Sequence, residues 1–445
     1  MSAGTLAKLW EEADQETEAG NYFIANYPPF SFWHEGQSNR VQALLLTDAP
    51  GDKDLGLYFH VPFCRKRCHF CYFRVYTDKN ASQIQNYLDA CMKELESYVE
   101  SSYIAGRKPS FIYFGGGTPS YLSVRQLDQL TRRMKELMPW DNVEEVAFEA
   151  EPGTLTPSKL EAIRSMGVTR LSLGIENFDD HVLETNGRAH RSREVERAYY
   201  HARELGFPQI NIDLIAGMLN ETEENWHRNV EKALELEPDC LTIYQMEVPY
   251  NTGIYKKMKE EGTLKAPVAD WGTKRRWVNE AFHKFEQAGY EVTSTCTVVK
   301  NSHNTRFLYR DSLWSGADLL GLGVASFSHL GGIHYQNIAH LEPYLEVVDG
   351  GKKPIGRALE TTSEERMIRE FILQMKLGRV SESYFKNKFK TNIAQKFKEE
   401  FLFLSDNSLL TKQDDWWVLS KEALLRVDRL LQAFFLPQHQ NARYT

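Results

Sequence analysis

The sequence has no apolar run near the ~18 residues that crossing a bilayer takes. Its first segment, MSAGTLAKLWEEADQETEAG, has neither the basic start nor the apolar stretch of a signal peptide. It also lacks an excess of positive charge. Lys and Arg number 53 against 61 Asp and Glu, a net charge of -8. That balance argues against a bulk electrostatic grip on nucleic acid or on an anionic membrane, though a local basic pocket is compatible with it. Low-complexity segments and short-period repeats are absent. Cysteine is scarce, at six residues, and its placement does not suit a secreted disulfide framework. What remains is an ordinary globular composition, 42% apolar and 26% charged, which excludes a disordered or fibrous chain. The expected setting is the cytoplasm. At ~150 residues per domain, 445 residues suggest two or three domains, or a barrel that runs longer as one. The aromatic content, 12%, suits a large flat substrate or simply a big core.

Three of the cysteines, Cys64, Cys68 and Cys71, fall within eight residues in the segment YFHVPFCRKRCHFCYF. The other three stand alone. Cys91 recurs with Tyr87, Leu95 and Tyr98 at helical spacing and reads as a small buried hydrophobe. Cys240 opens an apolar run, and Cys296 is either buried or site-lining. No second CxxC-type cluster exists, which argues against a second iron–sulfur cluster. A C-x3-C-x2-C triplet just after a strand can hold three irons of a [4Fe–4S] cluster and leave the fourth open for chemistry. Zinc is the rival. It would want a fourth ligand, such as His69 or His60.

From Leu55 onward, short β-rich runs alternate with amphipathic helices. The strand candidates are 55–61, 111–114, 144–150, 170–176, 210–217 and 240–246. Helical patterns lie at about 80–104, 122–138, 156–166, 191–205, 222–236 and 268–289. Strict alternation predicts parallel βαβ units in an α/β fold. Six repeats suit a partial (β/α)6 barrel better than two Rossmann halves, with chemistry at the C-terminal strand ends. The expected organisation is an N-terminal arm over 1–53 with the aromatic island NYFIANYPPFSFW, a barrel over 54–290, a β-rich substrate-facing extension over 291–355 and a helical cap over 356–445. The cap's helix–helix–hairpin–helix order is winged-helix-like. Its mixed charge favours packing over nucleic-acid binding.

Two further motifs follow strands. FIYFGGGTPSYL places Gly115, Gly116, Gly117 and Thr118 at a strand end, where glycine permits positive φ and close backbone approach. It lacks the lysine of a phosphate-binding loop. AFEAEPG puts Glu149 and Glu151 on one strand face, which implies a polar site. Glu151 either lines that site or caps the next helix.

Taken together, these segments resemble the radical SAM superfamily. The resemblance implies that Cys64, Cys68 and Cys71 hold a [4Fe–4S] cluster whose open iron chelates S-adenosylmethionine (SAM), which is cleaved reductively to a 5′-deoxyadenosyl radical. Phe70 then matches the aromatic position near adenine, Gly116, Gly117 and Thr118 the methionine-binding segment, and Glu149 the ribose ligand. Tyr58 joins the cofactor-binding set. LYFHVPFC, YFGGGTPSYL, EAEPGTL, RLSLGIENF, GRAH and NIDLIAGM, in this order, resemble the oxygen-independent coproporphyrinogen III oxidase family, which includes heme chaperones and class C methyltransferases and cyclopropanases. Members can bind a second SAM, whose lining maps to Glu176, Arg188 and Asp213. Two departures stand out: Phe73 occupies a position where the oxidase has a further Cys, and the island NYFIANYPPFSFW stands where the oxidase has an aromatic arm that closes over the porphyrinogen but differs from it in wording. In the second-SAM set, Glu176 replaces a Gln. His303, Tyr309, Trp314 and Cys296 fall in the substrate-facing region.

The resemblance carries three functional expectations. The first is C1 transfer from a second SAM to an sp2 carbon of an aromatic or conjugated substrate, by methylation or cyclopropanation. The second is oxidative decarboxylation of coproporphyrinogen III. The third is a heme-binding chaperone, suggested by IYQMEVPYNT. Implied partners are a small molecule, tetrapyrrole or otherwise conjugated, and an electron donor such as flavodoxin or ferredoxin. Neither nucleic acid nor a membrane span is expected, and the chain is expected to be a monomer.

Overall fold

The computed structural model describes every residue except 1, 2, 52, 142, 264, 441 and 443–445. Twelve strands form one sheet: β1 (Leu55–Val61), β2 (Phe111–Gly116), β3 (Glu145–Ala150), β4 (Arg170–Glu176), β5 (Gln209–Ala216), β6 (Cys240–Gln245), β7 (Glu291–Ser294), β8 (Thr297–Val299), β9 (Asp318–Leu322), β10 (Phe327–Leu330), β11 (Ile333–Asn337) and β12 (Ile355–Glu360). Their order is β12-β11-β10-β9-β1-β2-β3-β4-β5-β6-β8-β7. Strands β1 to β6 are parallel neighbours in chain order, β9 runs parallel to β1, and β10–β12 and β7–β8 extend the two edges antiparallel. This is the expected α/β fold, and the six expected strands match to within two residues.

On the face turned to the crossover helices the strands carry apolar residues at alternate positions, and the other face turns to the cavity. Leu57, Phe59, Ile112, Phe114, Val146, Phe148, Leu171, Leu173, Ile212, Leu214, Leu241 and Ile243 share one buried core. The crossover helices start at designed caps. Asn80 and Ser123 each form a reciprocal capping box, and Thr156 and Thr222 cap the next backbone turn. The C-terminal parts of β2 to β6 and the loop that follows β1 border one cavity. A flat six-stranded sheet would spread those ends over ~24 Å. The shared cavity therefore requires a curled sheet.

A second core belongs to the C-terminal helices. Phe371, Phe385, Phe397, Phe401 and Phe434 pack there beside a small sheet ordered β13 (Arg379–Ser381), β15 (Trp416–Leu419), β14 (Leu410–Gln413). Leu6, Ile24 and Tyr27 from the N-terminal segment complete that core. The leader holds helices Ala3–Glu11 and Ser38–Leu45, which its polar composition concealed. Among the described residues, no helix is long and apolar enough to cross a membrane.

Candidate active site

The cavity, of about 730 Å³, is bordered by the cysteine loop, the glycine loop, the ends of β3 to β6, the aromatic island and the C-terminal helices. Cys64 is buried, while Cys68 and Cys71 are partly so. Thr118 Oγ1 donates to Cys64 Sγ at 3.3 Å, and Arg188 Nη1 donates to Cys68 Sγ at 3.3 Å. Burial pushes the Cys64 thiol up to about 12 and the Cys71 thiol up as well. In a dry pocket, a thiolate needs a positive partner, which metal supplies.

Glycine is explained here by a close approach. Gly117 N donates to Val61 O at 2.7 Å. A Cβ on Gly117 would lie 2.9 Å from Cys64 Sγ and 3.0 Å from the carbonyl oxygens of Phe63 and Val61. Gly116 has φ +117, and its Cβ would strike the His60 ring at 2.7 Å.

Three acids line the cavity on adjacent strands. Glu149 accepts from the Tyr113 hydroxyl at 2.5 Å and from Gly116 N at 3.1 Å. Burial, with help from Asp213, raises its pKa to about 7. Glu176 sits at a β-bulge with φ +67. Burial raises its pKa to about 7, against the pull of Arg188. Asp213 accepts from Asn211 Nδ2 at 2.9 Å, and burial raises it to about 6. Arg188 lies 3.6 Å from Glu176, donates to Gly174 O at 2.5 Å, and leaves its buried Nε without a partner. Glu151 both borders the cavity and caps a backbone turn, accepting from Gly153 N at 3.2 Å and pairing with His190 at 2.9 Å. Both sequence alternatives for it therefore hold.

Phe70 reaches the cavity and packs against Met218, Met246 and Ile254. Tyr58 is partly buried on β1, beside Tyr309 of the cavity wall. It stacks on Tyr113 at 5.9 Å, and its hydroxyl meets His60 Nδ1 at 3.0 Å. Of the substrate-region candidates, Cys296 and Tyr309 border the cavity. His303 is exposed, and Trp314 packs against the C-terminal core. Phe73 lies in the wall, 4.4 Å from the Tyr72 ring. Residues without a motif complete the wall: His329, His334, Arg369 and Arg429.

The donor set was tested against the two metal readings. Among the described residues, the one set of ligating groups within 4.8 Å of one another is Glu223, His227 and Glu280 on the surface, where Arg276 already bridges the two acids. The three thiols are wider apart than one zinc ion would hold them. His69 turns to Thr185 O at 3.0 Å and His60 to Tyr58. The arrangement fits a larger group held by three thiolates, with two hydrogen-bond donors aimed at the sulfurs and an unmet Arg188 Nε beside them.

Residues 58–233 match the family model of the radical SAM superfamily. The chain carries a radical SAM domain. That family implies a [4Fe–4S] cluster and SAM. Over 383 residues the chain is 27% identical to heme chaperone HemW of Bacillus subtilis, covering 85% of this chain and 98% of that protein. Over 332 residues it is 27% identical to the oxygen-independent coproporphyrinogen III oxidase of Escherichia coli, covering 72% and 71%. The radical SAM domain and its extensions superpose on the solved structure of Escherichia coli coproporphyrinogen III oxidase (HemN) with a TM-score of 0.78 at 23% identity, over 94% of this chain and 99% of that one. That likeness is one of fold. The chain is homologous to HemN and HemW proteins, and neither of these two relatives is a methyltransferase.

Proposed function

We propose that this protein is a HemN-like radical SAM enzyme that acts on a carboxylate-bearing tetrapyrrole. Cys64, Cys68 and Cys71 are the cluster ligands in this reading. Glu149 accepts from the ribose of SAM, and Phe70 packs on its adenine. The bound cluster and SAM supply a 5′-deoxyadenosyl radical. The chain's own residues hold SAM, exclude water and present the substrate carbon to it. The observation that carries the reading is one aromatic-walled cavity shared by the thiols, the glycine loop and the aromatic island. Oxidative decarboxylation of coproporphyrinogen III is the reaction it favours, as the named relatives include that oxidase.

Anaerobic reconstitution tests this. Dithionite and SAM should yield 5′-deoxyadenosine. With a one-electron acceptor added, coproporphyrinogen III should then lose a hydrogen atom to the radical, carbon dioxide and one electron to the acceptor, read by mass spectrometry. Formation of 5′-deoxyadenosine without decarboxylation removes the tetrapyrrole step, and tight heme binding without SAM cleavage favours a chaperone role.

A second reading rests on the acids. Glu149, Glu176 and Asp213 with Arg188 leave two negative charges over when ionised, and each SAM brings one net positive charge. Two SAM molecules would balance them, as C1 transfer from the second SAM requires. Equilibrium dialysis showing one SAM per chain excludes it, as does deuterated-methyl SAM that leaves no label in product.

A further inference from the structure

One wall of the cavity lies away from the acids. It is built by β10, β11, the helix Ser363–Met375 and the aromatic island. Arg369, on that helix, borders the cavity and is 6% exposed. Its Nε donates to Asn26 Oδ1 at 2.8 Å and its Nη1 to Leu313 O at 2.9 Å. The neighbouring acid, Glu370, is taken by Lys388 Nζ at 2.9 Å and by the Tyr384 hydroxyl. Among the described residues, no carboxylate stands within ion-pair distance of Arg369. Burial lowers its pKa to about 10, so it keeps its charge at neutral pH. A buried charge without a counter-ion is costly, and such groups are retained where a ligand supplies the partner.

Two imidazoles adjoin it. His329 and His334 stack at 4.5 Å, and Trp33 stacks on His334 at 5.1 Å. Asn26 Nδ2 lies 3.4 Å from His334 Nδ1, so the guanidinium and this ring share one support. The Nε2 atoms of both rings are buried without a hydrogen-bond partner. Burial and the Arg369 charge hold both rings well below their usual pKa. Aromatic and aliphatic side chains surround them. Phe30 and Phe327 face each other at 4.7 Å, and Leu313 and Leu319 fill the remainder.

We propose that Arg369, with the imidazoles of His329 and His334 beside it, forms a carboxylate subsite that seats an acidic arm of the substrate while its ring lies on the aromatic wall. One guanidinium in an apolar wall balances a singly charged carboxylate. A phosphate dianion would need more donors and would leave charge over. The tetrapyrrole-ring part rests on the proposed function; the subsite itself does not.

The test uses full-length reconstituted protein and two probes that separate these claims. Binding of 1-pyrenebutyrate is compared with that of its neutral counterpart 1-pyrenebutanol by fluorescence, and coproporphyrin III is titrated alongside. Wild type should prefer the acid by about tenfold or more, as a charged hydrogen-bonded pair predicts. Arg369→Gln should abolish that preference while leaving the alcohol's affinity unchanged. Arg369→Lys should restore part of it. Equal binding of acid and alcohol by wild type overturns the proposal, and so does a preference that survives Arg369→Gln. Where Arg369→Gln fails to fold, Arg369→Lys carries the test, and an unaltered preference overturns the proposal. A preference for pyrenebutyrate without coproporphyrin III binding keeps the subsite and removes the tetrapyrrole.

Discussion

Replacing Gly117 by alanine perturbs the site through one methyl group. That carbon would sit 2.9 Å from Cys64 Sγ and 3.0 Å from two carbonyl oxygens at the end of β1. Two of these atoms are backbone, and Cys64 Sγ can move only about one torsion, away from its hydrogen bond with Thr118. Overpacking of this kind costs ~1–3 kcal/mol, against a typical stability of ~5–15 kcal/mol. The chain should therefore stay folded, with the strain concentrated on Cys64. Ligands need placement within ~0.5 Å to hold their productive geometry. Gly117→Ala should thus lose at least half its reconstituted iron, and SAM cleavage should fall about tenfold or more, since ~1.4 kcal/mol equals a factor of ten. Gly36→Ala is the control, because nothing lies within 4 Å of its Cβ position. The assay is anaerobic reconstitution with iron and sulfide quantitation, EPR of the reduced cluster and chromatography of 5′-deoxyadenosine. Wild-type iron content and cleavage in Gly117→Ala would refute the reasoning.

Further expectations concern the thiols, the acids and the cap. Alanine at Cys64, Cys68 or Cys71 should each abolish iron loading, whereas Cys91→Ala and Cys240→Ala should load normally; retained loading in all three of the first set sinks the cluster assignment. Glu149 has its pKa raised to about 7, chiefly by burial, so it ionises as pH rises through neutrality. Its acceptor strength towards the SAM ribose grows with ionisation, so SAM should bind more tightly at pH 8 than at pH 6, and Glu149→Gln should flatten that slope in calorimetry. In the cap, Phe371 is fully buried and stacks on Phe397 at 4.7 Å. Phe371→Ala should cost ~3–5 kcal/mol, and a melting transition unchanged by it would contradict the cap's separate core.

The parts of the fold set by local pattern were legible. Runs such as INIDLIAG and RLSLGIE announce buried parallel strands, and the Cys and Gly motifs fall where strands end. Long-range ties were not. The aromatic island is fixed by Ile24 N donating to Asp428 Oδ1 at 2.8 Å and by Arg369 holding Asn26, across hundreds of residues. No local signal in the island reports such partners. The same holds for β9, whose pairing with β1 depends on a strand far away in sequence. Arg369 and Arg429 lie in no motif, and only packing turns them towards a cavity. Tyr58 shows both. Its strand position was legible, while its contacts with Tyr113 and His60 were not.

The strand order also sets a timetable for synthesis. β1 is among the earliest sheet elements made, yet its outer neighbour β9 begins at Asp318. A nascent chain thus carries an open strand edge from β1 until the ribosome has passed some 260 further residues, a delay of ~13–50 s at usual elongation rates. Contacts of such sequence separation form slowly and leave edges open to mispairing. The chain that must later guard a radical from water first has to guard its own leading edge from other chains.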